Sequence, residues 1–218
     1  DESMRGTSVQ CPQCSSYIII PELEISKGMM LGDFRIERRL GVGGMGEVWL
    51  AHQEAMDRPV AIKILSPSLT KDKDFVDRFL KEVKMAGMLT HQNIVTAYHA
   101  GLEKGIYYLA IEFVDGVELS NRLTIDKKLP EKEALRIVKA IAEALKYAWN
   151  KFKLLHRDIK PANIMLCSDG TPKLMDMGIS KSMSEDTSLT MTGVIVGTPY
   201  YMSPEQSKAE KDIDFRAD

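Results

Sequence analysis

No stretch of this chain is apolar for anything near the roughly 18 residues that a membrane helix needs. The N-terminal Asp1-Glu2-Ser3-Met4-Arg5-Gly6 also lacks the apolar centre of a signal peptide. No membrane segment is expected within these 218 residues, and the cytoplasm is the expected location. Cysteine is scarce: three residues, an odd number, supply no disulfide framework, in keeping with a reducing compartment. Excess charge is missing too. Lys and Arg number 29 against 31 Asp and Glu, a formal net charge of -2, so no basic field for nucleic acid or anionic membrane is built in. Nucleic acid is not an expected partner, and any anion must be held locally. Internal repeats and low-complexity tracts are absent. With 44% hydrophobic and 28% charged residues, what remains is an ordinary globular composition, able to bury one substantial core or two small ones.

Residues 1–27 stand apart as an appendage, with Cys11-Pro12-Gln13-Cys14 leading into the short apolar run Tyr17-Ile18-Ile19-Ile20. Phe34-Arg35-Ile36, Val48-Trp49-Leu50-Ala51 and Val60-Ala61-Ile62-Lys63-Ile64-Leu65 read as three antiparallel strands separated by turn-forming residues. Phe75, Phe79, Val83 and Ala86 recur at helical spacing behind an acidic start, which predicts a helix over 72–89. Two more strands are expected over 94–100 and 106–113. A stripe of Leu135, Val138, Ala142, Leu145 and Ala148 predicts a long helix over 131–151. Short strands and loops follow, with Ser168-Asp169-Gly170-Thr171 as a turn.

Several of these segments carry chemistry. Leu40-Gly41-Val42-Gly43-Gly44-Met45-Gly46-Glu47-Val48 places a G-x-G-x-x-G-x-V pattern between two predicted strands, where missing side chains let backbone N–H groups approach phosphate oxygens. A flexible hairpin is the plain alternative. A dinucleotide fold would need a helix after the glycines, whereas Val48–Ala51 reads as a strand. Lys63 sits inside an apolar strand, where its ammonium is costly unless paired or turned to water. Its expected partner is Glu82, the single glutamate on the following helix, and the pair would hold α- and β-phosphates.

The sharpest signal is His156-Arg157-Asp158-Ile159-Lys160-Pro161-Ala162-Asn163, directly after the long helix. Asp158 can take the proton of an attacking alcohol. Asn163 offers an amide oxygen suited to Mg²⁺, and Lys160 places a cation near a transferring phosphoryl group. Asp176-Met177-Gly178 supplies a carboxylate that could complete the metal site, although Asp-x-Gly turns are common.

These motifs stand in the order found in protein kinases, so 32–218 resembles the eukaryotic-type protein kinases. Lys160 together with Gly197-Thr198-Pro199 is similar to the serine/threonine branch, and Ser203-Pro204-Glu205-Gln206 to its bacterial members. The resemblance implies an α+β, bilobal protein-kinase-like fold: an antiparallel-sheet N-lobe over 28–112, then a partial, mainly helical C-lobe over 113–218. It implies Ile111 as gatekeeper and Glu112 to Val114 as an adenine-binding hinge, with Leu40, Val48, Ala61 and Met165 enclosing the ring. The loop residues Gly41, Val42, Gly43, Gly44, Met45 and Gly46, with Lys63, would bind the phosphates of ATP, and Asn163 and Asp176 would hold Mg²⁺. Thr198 would contact Asp158 and Lys160 and recognise the hydroxyl substrate. Arg157 beside the base implies regulation by phosphate on Thr190 or Thr192, through activation-loop autophosphorylation and self-association.

The implied activity is transfer of the γ-phosphoryl group of MgATP to Ser or Thr of protein substrates. A pseudokinase or scaffold that binds nucleotide without transfer is the rival reading, and the joint presence of Lys63, Glu82, Asp158, Asn163 and Asp176 argues against it. Met177 departs from the usual Phe and Ser203 from the usual Ala, both mild changes. Asp218 matches the aspartate that opens a buried helix anchoring the catalytic loop. With that helix beyond the chain, the expectation is an uncovered apolar face on the helix over 131–151. Activity is accordingly expected of the full gene product, which in relatives often runs on into a membrane anchor. Cys11 and Cys14 have the spacing for two ligands of one Zn²⁺, but a closed site needs four. Half of a zinc ribbon, a metal-free turn and a redox pair all remain open.

Overall fold

The computed structural model describes residues 8–10, 14, 17–19, 24–177, 199–208, 210 and 212–218. Strands β1 (Ser8–Gln10) and β2 (Tyr17–Ile19) form a separate antiparallel pair. Six further strands make the main antiparallel sheet: β3 (Met30–Leu31), β4 (Phe34–Gly43), β5 (Gly46–Gln53), β6 (Arg58–Leu65), β7 (Ala97–Glu103) and β8 (Ile106–Glu112). Their spatial order is β3-β4-β5-β6-β8-β7.

Strand β6 is central and covered on both faces, which explains its nearly unbroken apolar text. Ala61 and Leu65 join one core with Phe75, Phe79 and Val83, while Val60, Ile62 and Ile64 join another with Leu31, Phe34, Ile36 and Tyr108. Because side chains alternate along a strand, Lys63 shares the face of Ala61 and Leu65. The Phe75-Phe79-Val83 face belongs to α2 (Lys73–Ala86), which follows the short α1 (Pro67–Thr70). Asp72 caps α2, its carboxylate accepting from the N–H groups of Asp74 and Phe75 at 2.9 and 3.2 Å. The helix ends at Ala86, short of the expected 89, because Gly87 follows.

The expected strand over 94–100 is displaced: β7 starts at Ala97. Residues 93–95 are taken instead by a distant segment. The Val95 N–H donates to the Leu174 carbonyl at 2.9 Å, the Leu174 N–H to the Asn93 carbonyl at 2.8 Å, and the buried Asn93 amide to the Pro172 carbonyl at 2.7 Å.

That segment is β11 (Pro172–Leu174) of a small sheet ordered β11-β10-β9, with β10 (Ile164–Cys167) and β9 (Gly116–Glu118). Helices α3 (Leu119–Asp126) and α4 (Glu131–Phe152) pack against it, and the short α5 (Pro204–Ser207) comes later in the chain. Helix α4 is where sequence and structure differ most. Its core face carries Ile137, Ile141, Ala144 and Ala148, while Leu135 and Val138 of the expected stripe are 62% and 64% exposed. Two apolar stripes run along this helix, and only contact with Leu119, Ile164, Leu166 and Leu174 decides which one faces inward.

Candidate active site

The site is assembled from β6, the α4–β10 loop and the residues after β11. The Lys63 ammonium, on the α2 side of β6, makes an ion pair with the Asp176 carboxylate. Burial pushes Lys63 down to about 8, while the negative charge of Asp176 favours the protonated form. The partner expected for Lys63 is Glu82. Glu82 lies on α2, half-buried, with one carboxylate oxygen inaccessible to water, and the Lys63 contact in this structure is with Asp176.

Asp158 is gripped from two sides. Lys160 Nζ lies 2.8 Å from Asp158 Oδ2, and the Asn163 amide Nδ2 donates to the same oxygen at 3.0 Å and to the Asp158 carbonyl at 2.8 Å. Three of the expected catalytic-loop residues are thereby brought together. The Met175 N–H donates to the Asn163 carbonyl at 2.9 Å, so Asn163 and Asp176 are held on neighbouring antiparallel segments.

His156 has a structural part that the octet alone does not disclose. The fully buried ring accepts from the Asp158 N–H at Nδ1, 3.2 Å, which leaves Nε2 to donate to the Met175 carbonyl at 2.7 Å. Both contacts suit the neutral imidazole, and burial lowers its pKa. Asp218 anchors the same loop, accepting from the His156 and Arg157 N–H groups at 2.6 Å each. Phe215, three residues before this carboxylate, meets Trp149 of α4 at 5.8 Å between ring centroids. Arg157 and Asp176 both have left-handed backbones, φ 66° and 57°. Such conformations cost about 1–3 kcal/mol each in non-glycine residues and persist where surrounding bonds impose them.

The glycine-rich turn between β4 and β5 divides by role. At Gly46, φ is 140° and a Cβ would stand 2.0 Å from the Ile64 carbonyl oxygen, so the fold itself requires glycine. At Gly41, Gly43 and Gly44 a Cβ would meet nothing within 4 Å, leaving their backbone open to a ligand. Val42 is 69% exposed and lines a groove of about 650 Å³ with Trp49 and Ile64, on the sheet face away from Lys63. Its side chain is therefore turned away from the Lys63 face. Met45 and Val48 lie against the Ala61 and Leu65 core, and Val48 stands opposite Lys63 in the β5–β6 register. Leu40 is exposed at the start of the turn.

Ala61 and Ile111 are register partners on β6 and β8. Glu112 commits its N–H to the Thr96 carbonyl at 2.8 Å and its carboxylate to Lys173 Nζ at 2.8 Å, so its carbonyl is what it can present to a ligand. Lys173 had no sequence signal, because a lysine on a short strand looks solvent-facing until the partner is known. Val114 is half-buried, and Met165 stands on β10 opposite Glu118 and Lys173. Met177 is 4% exposed and lines a cavity of about 20 Å³ with Leu89, Leu109 and Ile111, so methionine fills the interior position expected of the usual Phe.

The donor atoms fit Mg²⁺. The bonds from Asn163 Nδ2 leave Oδ1 as a hard ligand, and Asp176 spends Oδ1 on Lys63, leaving Oδ2. One amide and one carboxylate suit an ion that shares its remaining positions with phosphate and water. Among the described residues no group of three or more His, Cys, Asp or Glu could hold a metal. Cys14 is exposed, whereas Cys11, Thr190, Thr192 and Thr198 lie outside the described residues.

This arrangement of sheet, helices and polar loop is that of a protein kinase, and residues 34–218 match the protein kinase domain family. The chain belongs to that family. It is 41% identical over 177 residues to the serine/threonine-protein kinase PrkC of Bacillus subtilis, covering 81% of this chain and 27% of the relative. It is 37% identical to the serine/threonine-protein kinase PknB of Mycobacterium leprae, covering 82% of this chain and 29% of the relative. The chain thus spans under a third of the length of these two curated relatives. Among solved structures, the Mycobacterium tuberculosis PknI kinase domain superposes with a TM-score of 0.72 at 33% identity, covering 89% of this chain and 72% of that one.

Proposed function

We propose that this chain is the catalytic part of an enzyme that transfers the γ-phosphoryl group of MgATP to serine and threonine hydroxyls of proteins. The observation that carries the reading is the Asp158 carboxylate, held by Lys160 and Asn163 in the same site as the Lys63–Asp176 pair. Asp158 takes the hydroxyl proton as the new P–O bond forms and the bond to the departing ADP breaks. Lys160 offers its cation to the phosphoryl oxygens. Lys63 serves the α- and β-phosphates, and Glu82 is the carboxylate that takes over its ammonium from Asp176. Bound Mg²⁺ supplies neutralisation of phosphate charge, with Asn163 Oδ1 and Asp176 as its protein ligands.

Regulation belongs to the same reading. Phosphate added to Thr190 or Thr192 by a second copy of the enzyme gives Arg157 a bidentate anionic partner. Residues 1–27 are a separate appendage whose Cys11 and Cys14 take Zn²⁺ if two further ligands join them. Division at 112/113 separates the nucleotide-covering sheet from the part that carries the base.

The test is Asp158→Asn in the full-length protein, assayed on a protein acceptor. Transfer is expected to disappear while MgATP still binds. Transfer at the parental rate would refute the assignment.

A further inference from the structure

We propose that Gln206 is a positioning residue for Asp158: its side-chain amide clamps the Arg157 carbonyl and so fixes the peptide that leads into the base. The proposal rests on the reading of Asp158 as that base.

Gln206 occupies the third position of α5 and closes a reciprocal cap. Its Oε1 accepts from the Ser203 N–H at 3.0 Å, and Ser203 Oγ accepts from the Gln206 N–H at 3.2 Å. For capping alone, glutamate serves this position as well as glutamine. The other end of the side chain separates the two, because Nε2 donates to the Arg157 carbonyl at 2.7 Å. Only an amide can accept from Ser203 and donate to Arg157 at once. Reversing the amide would set oxygen against carbonyl oxygen, so the two neighbours dictate its orientation.

The carbonyl it holds is no ordinary one. Arg157 has φ 66°, a conformation that needs external support. Its N–H is taken by Asp218 at 2.6 Å, and the N–H across the following peptide, that of Asp158, is taken by His156 at 3.2 Å. Gln206 supplies the remaining bond to that peptide plane. Rotation of the plane would swing the Asp158 carboxylate away from Lys160 and Asn163, so a bond made from α5 restrains the base through the backbone.

Four forms of the full-length protein test this: parental, Gln206→Glu, Gln206→Met and Ser203→Ala. Single-turnover phosphoryl transfer, MgATP affinity, unfolding temperature and amide exchange at Asp158 are measured on each. Loss of one such hydrogen bond predicts transfer about five- to tenfold slower in Gln206→Glu and Gln206→Met, with MgATP affinity unchanged. Ser203→Ala, which weakens the cap and spares the clamp, stays within about twofold of parental. The Asp158 amide exchanges faster in both Gln206 variants. The amide measurement reads the clamp whether or not the parent transfers phosphate, so an inactive parent refutes the proposed function separately. A Gln206→Glu protein at the parental rate, equal slowing in Ser203→Ala, or an unchanged Asp158 amide overturns the clamp.

Discussion

Asp218 holds Arg157: the carboxylate Oδ1 accepts from the Arg157 N–H at 2.6 Å while Oδ2 takes the neighbouring His156 N–H at the same distance. Two charge-assisted bonds from one side chain therefore meet the backbone just before Asp158. Replacing Asp218 by Ala removes both acceptors at once. Each such bond contributes about 1.5–3 kcal/mol, so the loop should open locally. Hydrogen exchange at His156 and Arg157 should rise at least tenfold, with phosphoryl transfer falling in parallel. Amides that stay protected would show that the loop is held by other contacts.

Lys63→Ala should slow phosphoryl transfer by about 10²–10³-fold, the usual consequence of deleting one preorganised charge beside a site of charge redistribution. The Asp176 carboxylate loses its ammonium in the same step. Steady-state rates on a protein acceptor check this, and a loss under tenfold would contradict the role assigned to Lys63.

The glycines offer a sharp contrast. In Gly46→Ala the new methyl meets the Ile64 carbonyl at 2.0 Å in a backbone with φ 140°. A stability loss above about 2 kcal/mol is expected from that overlap and strain. Gly44→Ala meets open space, so stability should stay within about 0.5 kcal/mol while MgATP binds more weakly. Urea unfolding and nucleotide titration distinguish the two effects.

His156 should make stability depend on pH in one direction. Burial holds its folded pKa below 6.5, so at lower pH the unfolded chain binds the additional proton. Stability present above about pH 6.5 is then lost as pH falls toward the folded value, by up to about 1.4 kcal/mol per pH unit. Unfolding free energies at pH 7.5 and 5.5, with the imidazole followed by NMR, test this. A ring titrating above 6.5 would refute it.

How much of the site is legible in the sequence depends on how local its chemistry is. Asp158, Lys160 and Asn163 lie within six residues of one another, and the structure joins them with direct contacts. Lys63 and Asp176 each stand out in the sequence, yet their pairing crosses the fold, and the sequence alone points to Glu82 as the partner of Lys63. Helix α4 is legible as a helix because its apolar residues recur at helical spacing. Its inward face is not, since Leu135 and Val138 fit that period as well as Ile137 and Ile141 do.

By itself the sequence determined the motifs proposed to carry the chemistry: the glycine-rich turn, the strand lysine, the Asp158 loop with Lys160 and Asn163, the Asp176 carboxylate, and the family they define. Each is a local pattern whose spacing survives without knowledge of distant contacts. Only the tertiary structure decided what restrains that chemistry. Asp218, Gln206, His156 and Lys173 act through bonds to partners 62, 49, 19 and 61 positions away. No periodicity encodes such contacts, because hydrogen-bond geometry is set by how the chain returns on itself.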